Sequence, residues 1–116
     1  MLFASAVPLA PDKTGRYRNL ATELEPHLDE YEGLNARFQV SHHAFWINHA
    51  RNGTELGVSV YDIAKEGLAE MSNREWDSAS AYDRWWLGFV GDVNGFDLRA
   101  EPAHAAPPEQ VFAWER

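Results

Sequence analysis

The stretch FQVSHHAFWINHARNGTELGVSVY, residues 38–61, decides the fold, because two β-rich runs flank Arg51-Asn52-Gly53-Thr54. Asn-Gly is the strongest short-range signal for a hairpin, so two antiparallel strands are expected. With Asn52 and Gly53 as the two central turn residues, Arg51 faces Thr54, Ile47 faces Val58 and Trp46 faces Ser59. Side chains alternate along a strand, and this register therefore sorts the hairpin into two faces. One carries Phe45, Ile47, Leu56, Val58 and Val60, nearly all apolar, and is expected to pack against helices as the core. The other carries His42, Ala44, Trp46, Asn48, Gly57, Ser59 and Tyr61. A one-residue slip would exchange the two sets.

Working outward, Leu2 to Val7 reads as a first strand ending at Pro8, followed by a loop from Pro8 to Lys13. Thr14 is placed as the N-cap of a long helix, along which Tyr17, Leu20, Ala21, Leu24, Leu28 and Tyr31 recur every three or four residues. Pro26 lies within that pattern and should kink the helix near Glu25, since proline lacks the backbone donor and clashes with the preceding turn. Gly33 marks its expected end. On the other side of the hairpin a short helix is expected over Ile63 to Met71, weakened by Gly67. Ser80-Ala81-Tyr82-Asp83 resembles a capping box, and behind it Tyr82, Trp85, Trp86, Phe89 and Val93 trace a second stripe that Gly95 should stop. Phe96 to Arg99 is expected as a further strand. Ala100 to Gln110 reads as an Ala/Pro-rich arm and Val111 to Trp114 as a last short strand, so residues 1–99 read as the body of one α+β domain and 100–116 as an arm and short strand belonging to that same domain.

Strand, helix, strand, strand, helix, strand is the ferredoxin-like order, an α+β arrangement with both helices on one face of an antiparallel sheet. The other face then needs a cover. A second copy stacked sheet on sheet would supply one and close a dimeric α/β barrel.

Bulk properties narrow the function. At 116 residues the chain suits one domain, able to bury roughly two thirds of the surface its unfolded form exposes. Formal net charge is -8, with no cluster of Lys and Arg to offset it, so neither nucleic acid nor an anionic lipid surface is expected as a partner. No apolar run approaches the ~18 residues that span a bilayer, and Met1 to Val7 lacks the form of a secretory signal. Cysteine is absent, which removes disulfides, thiolate nucleophiles and cysteine metal sites together. A cytoplasmic location is expected. Five Trp, six Phe and four Tyr are more than a small core requires, pointing to an aromatic-lined cavity, to an interface that buries rings, or equally to a Trp-rich core.

Several motifs carry a resemblance: Pro11-Asp12-Lys13-Thr14, Glu30-Tyr31, Trp46, Tyr82-Asp83-Arg84-Trp85 and Gly95-Phe96-Asp97-Leu98. With these the chain resembles, over most of its length, a family of uncharacterised bacterial proteins in the dimeric α/β-barrel superfamily. Family members often carry His before the Gly-x-Asp-Leu stretch; here Asn94 stands there. The resemblance implies the fold and a homodimer. The wider superfamily includes cofactor-independent monooxygenases, isomerases, polyketide cyclases and haem proteins.

On these grounds the mixed face of the hairpin is the candidate site. A small hydrophobic or aromatic ligand would take apolar walls for affinity and a few polar groups for orientation. His42 is the candidate general acid or base and Tyr61 a donor to a developing oxyanion. Asn48 and Ser59 would orient the substrate while Trp46 stacks on it. No cofactor is expected. Metal is not expected either: His42 and His43 point to opposite faces, and His43 and His49, six residues apart, are separated by roughly 20 Å at about 3.3 Å per residue. His27, on the apolar side of the first helix, reads as a partly buried histidine, and His104 as a solvated one in the arm. Asp83 and Arg84, adjacent on a helix, read as surface or interface groups. Alternatives remain open at this stage: the same face could line the interface of a non-catalytic homodimer, or His27 or His42 could hold haem.

Overall fold

A computed structural model describes residues 1–95, 97–100, 111, 112 and 114. Strands β1 (Leu2–Pro8), β2 (Val40–His49) and β3 (Glu55–Ile63) form one sheet in the order β1-β3-β2, each pair antiparallel. Helices α1 (Thr14–Arg18), α2 (Leu20–Leu24) and α3 (Leu28–Arg37) join β1 to β2, while α4 (Lys65–Ser72) and α5 (Ala81–Val93) follow β3. The fold is thus α+β with a three-stranded antiparallel sheet. Among the described residues no helix is long and apolar enough to cross a membrane.

The helices cover a single face of the sheet. Leu9, Tyr17, Leu20, Phe89, Val90 and Val93 form one buried cluster, against which Phe45 and Ile47 of β2 pack. Phe38, Ile63 and Leu68 form a second, joined by Phe3 and Tyr61 of the sheet. Ser80 caps α5 as expected, its Oγ accepting from the Asp83 N–H at 3.1 Å, and Gly95 leaves the helix at φ +75°. Such a cap satisfies one of the donors that every helix N-terminus leaves open.

The long first helix is broken more often than its stripe suggests. Pro26 sits in a 3-10 turn, Glu25–His27, and a further break falls at Asn19 between α1 and α2. Its end lies at Arg37, because Gly33 has open space around it and is merely tolerated in α3. Thr14 is the first helical residue rather than the cap, and its hydroxyl donates to Glu55 at 2.9 Å. Gly67 is structural: a side chain there would strike the Phe38 carbonyl, so the residue that weakens α4 is the one that lets it pack.

The C-terminal expectations need correction. Leu98–Ala100 is a 3-10 turn rather than part of a strand, and Val111, Phe112 and Trp114 are exposed with no strand pairing. Residues 101–110, hence most of the arm and His104, lie outside the described residues.

The hairpin forms, but one residue out of the expected register. His49 pairs with Glu55, Trp46 with Val58 and Phe45 with Ser59. The loop has three residues, not two: Gly53 N–H donates to the Ala50 carbonyl at 3.0 Å, Ala50 N–H to Thr54 at 2.9 Å, and Asn52 Oδ1 accepts from Thr54 N–H at 3.0 Å. Only Gly53 of the loop has positive φ, +86°, whereas a two-residue Asn-Gly turn needs it at both positions. Packing reinforces the shift. Gly57 is buried under the Tyr17 ring, where a Cβ would stand 3.0 Å from the aromatic carbons.

Candidate functional site

The register shift leaves β2 as expected and inverts β3. His42, Ala44, Trp46 and Asn48 stand on the open face, with Phe45 and Ile47 beneath the helices. Ser59 and Tyr61, expected on the open face, lie on the helix side, and Val58 and Val60 take their places. The five candidate site residues are therefore not one constellation. His42, Asn48 and Trp46, the last 60% exposed, occupy one side of the sheet, and Ser59 and Tyr61 the other.

What the structure does assemble is a chain of polar groups under the helices. His43, which alternation places beside Phe45, lies with Nδ1 2.6 Å from the Tyr31 hydroxyl and Nε2 2.8 Å from Ser59 Oγ. Its ring stacks on Tyr61 with centroids 3.6 Å apart and planes 16° from parallel. α3 delivers Tyr31, β2 His43, and β3 both Ser59 and Tyr61. A neutral imidazole has one N–H and one acceptor nitrogen, and a hydroxyl can serve either, so both tautomers satisfy the ring.

Burial, with a smaller effect from the neighbouring His42, pushes the His43 pKa down to about 4, so the ring is neutral at physiological pH. Burial also raises the Tyr31 phenol and, further, that of Tyr61, leaving both protonated. The chain is therefore uncharged throughout. It lacks the carboxylate that orients and strengthens the base in a hydrolytic Ser-His-Asp triad, and a histidine this acidic is a poor base for activating Ser59.

Two spaces flank this chain. A groove of about 690 Å³ runs between β2 and the first helices, within the roughly 300–1,000 Å³ of typical small-molecule sites. Tyr17, Leu20, Ala21 and Leu24 form its helical wall and Phe45 and Ile47 its strand wall. Tyr31 and His43 also line it, with Arg18, Trp46 and His49 completing its lining. The second space, about 140 Å³ between sheet and α5, is lined by Ser59 and Tyr61 with Trp86, Phe89 and Asn94 among others. Tyr17 and Phe45 line both spaces and so partition them. Asn94 Nδ2 donates to the Pro8 carbonyl at 3.2 Å.

His49 is paired with Glu55 at 2.9 Å, and among the described residues no three His, Asp or Glu side chains gather as a metal would need. Asp83 also departs from its expected surface role. It is buried, 1% exposed, and bound to Arg74, while Arg84 remains exposed. Compared with protein-family models, curated proteins and solved structures, the chain matches none.

Tyr31 and His43 were both missing from the expected site. Alternation had already set His43 on the face of Phe45, and Tyr31 closed the first helical stripe. The signal was the shared face of those two patterns.

Proposed function

We propose that the chain is a ferredoxin-like subunit of a dimeric α/β barrel that binds a small aromatic molecule in the groove between β2 and the first helices. The observation that carries this is His43, neutral and held between two hydroxyls, on the wall of a largely apolar and aromatic groove of ligand size. The strand order β1-β3-β2 with helices on one face supports the ferredoxin-like assignment. Of the reaction kinds the family resemblance implies, isomerisation and cyclisation need a proton moved rather than an electron supplied. A relay suits that. As Tyr31 gains a proton from a substrate in the groove it passes its own to one His43 nitrogen, and the other nitrogen gives its proton to Ser59 Oγ. Ser59 releases its own hydroxyl proton to solvent in the inner cavity it lines, so imidazole and hydroxyls all stay uncharged; the same chain run in reverse returns a proton to the substrate.

The probe that tests the site is 2-naphthol, titrated into the protein and followed by backbone amide shifts in ¹H–¹⁵N spectra. Saturable shifts are expected at Leu20, Leu24, Tyr31, His43 and Phe45. Shifts confined to Val58 and Val60, or none, would contradict the assignment.

A second reading, a non-catalytic homodimer, is favoured by the open face itself. Leu2, Ala4, Ala6, Ala44, Trp46, Leu56, Val58 and Val60 share it, and the Leu2 side chain is 72% exposed. Self-association over that face is common to both readings. A haem role draws no support from the residues offered for it. His27 stacks on Trp85 at 5.1 Å, His42 is exposed on the open face, and neither lines the groove or the inner cavity.

A further inference from the structure

We infer that the groove selects an aromatic monocarboxylate, with the anion on Arg18 and the ring against Phe45, Leu20 and Leu24. This rests on the binding role just proposed and narrows its ligand. Acidic partners are abundant in a chain of formal net charge -8, and most of its cations are used: Arg16 holds Glu23 and Asp92, Lys13 also holds Asp92, Arg37 holds Glu70, and Arg74 holds Asp83. Among the described residues, the Arg18, Arg51 and Lys65 side chains have neither a hydrogen bond nor an ion pair. Arg51 sits at the hairpin tip and Lys65 at the start of α4. Only Arg18 lines the groove, where it is exposed and free to meet a ligand.

The chemistry of that position is selective. A guanidinium offers two parallel N–H donors that match the two oxygens of a carboxylate. Beside apolar walls the pair is less screened than on open surface. His49, the other cationic candidate in the lining, is already answered by Glu55, so the groove presents one unpaired charge and matches a monoanion. A phosphate dianion would be left half-compensated, against the overall negative field of the chain. The rings of Tyr17, Tyr31 and Phe45 favour a planar body over an alkyl chain. With the carboxylate at Arg18, a polar substituent elsewhere on the ring system is available to the Tyr31 hydroxyl, which His43 holds in place.

The test compares 2-naphthoate with 2-naphthol, which share a ring system and differ in charge at pH 7.5, by calorimetric titration into the full chain and its Arg18→Gln variant. Naphthoate is expected to bind the unaltered protein at least about tenfold tighter than naphthol, and Arg18→Gln should bring naphthoate down to the naphthol level. If naphthol binds but naphthoate is no tighter, or keeps its advantage in Arg18→Gln, the anion assignment fails while the groove stands as a ligand site. If neither compound binds, the proposed binding role fails and this inference with it.

Discussion

Replacing Asp83 with Ala is expected to lower the unfolding free energy by about 3–5 kcal/mol, the range for removing one partner of a buried ion pair. Arg74 Nη2 lies 2.5 and 2.6 Å from the two Asp83 carboxylate oxygens, and the Asp77 N–H donates to the same carboxylate at 2.8 Å. Arg74 has only 12% of its side chain exposed, lies over the Trp76 ring at 4.3 Å, and keeps a buried Nε without a partner. With Ala at position 83 the guanidinium would stay buried and uncompensated, and the segment from Arg74 to Ser80 would lose its anchor. The α5 cap survives the change, since Ser80 accepts from the backbone of residue 83. Urea unfolding measures the effect. A loss under about 1 kcal/mol would contradict the buried-pair assignment, whereas Asp83→Leu with Arg74→Met should recover most of the deficit, because apolar replacement of both partners is often close to neutral.

Val58→Lys is expected to turn a dimer into a monomer. Register sets Val58 on the central strand with Trp46 on one side and Ala6 on the other, at the middle of the open face. Two sheets packed face to face lie about 10 Å apart, so a lysine there would leave an ammonium group buried without a partner in each copy. In a monomer the same side chain points to solvent and the fold should persist, as circular dichroism would register. Light scattering after size exclusion should give twice the 13.2 kDa chain mass for the unaltered protein and the single chain mass for the variant. A monomeric parent, or a variant that remains dimeric, would remove the open face as the pairing surface.

Much of the fold was legible in the sequence, and the failures have physical causes. The hairpin, the facing of β2 and the Ser80 cap follow from local chemistry, because turn residues, alternation and capping act within a few positions. The facing of β3 does not. Asn52-Gly53 serves a two-residue or a three-residue loop equally well, and the choice is tied to Gly57 lying under Tyr17, a contact 40 residues apart in the chain. Asp83 lies three residues before Trp86 of the α5 stripe and seven before the apolar Val90, a spacing that hinted at burial, but its partner Arg74 belongs to an irregular segment with no period to read. The candidate site suffered most from the inverted strand. Ser59 and Tyr61 were chosen as polar residues facing His42, and they instead face the histidine beside it.

His43 is the point at which register, burial and function meet. An unfolded imidazole titrates near 6.5 and His43 near 4, so the stability this residue contributes is present above pH 6.5 and lost as the pH falls through about 4. The decisive measurement is the His43 titration itself, by ¹⁵N chemical shifts in long-range ¹H–¹⁵N spectra of the histidine-labelled protein. A ring that stays neutral, with one nitrogen protonated, down to about pH 4 is the predicted result; titration in the ordinary range near 6.5 would contradict the relay between Tyr31 and Ser59.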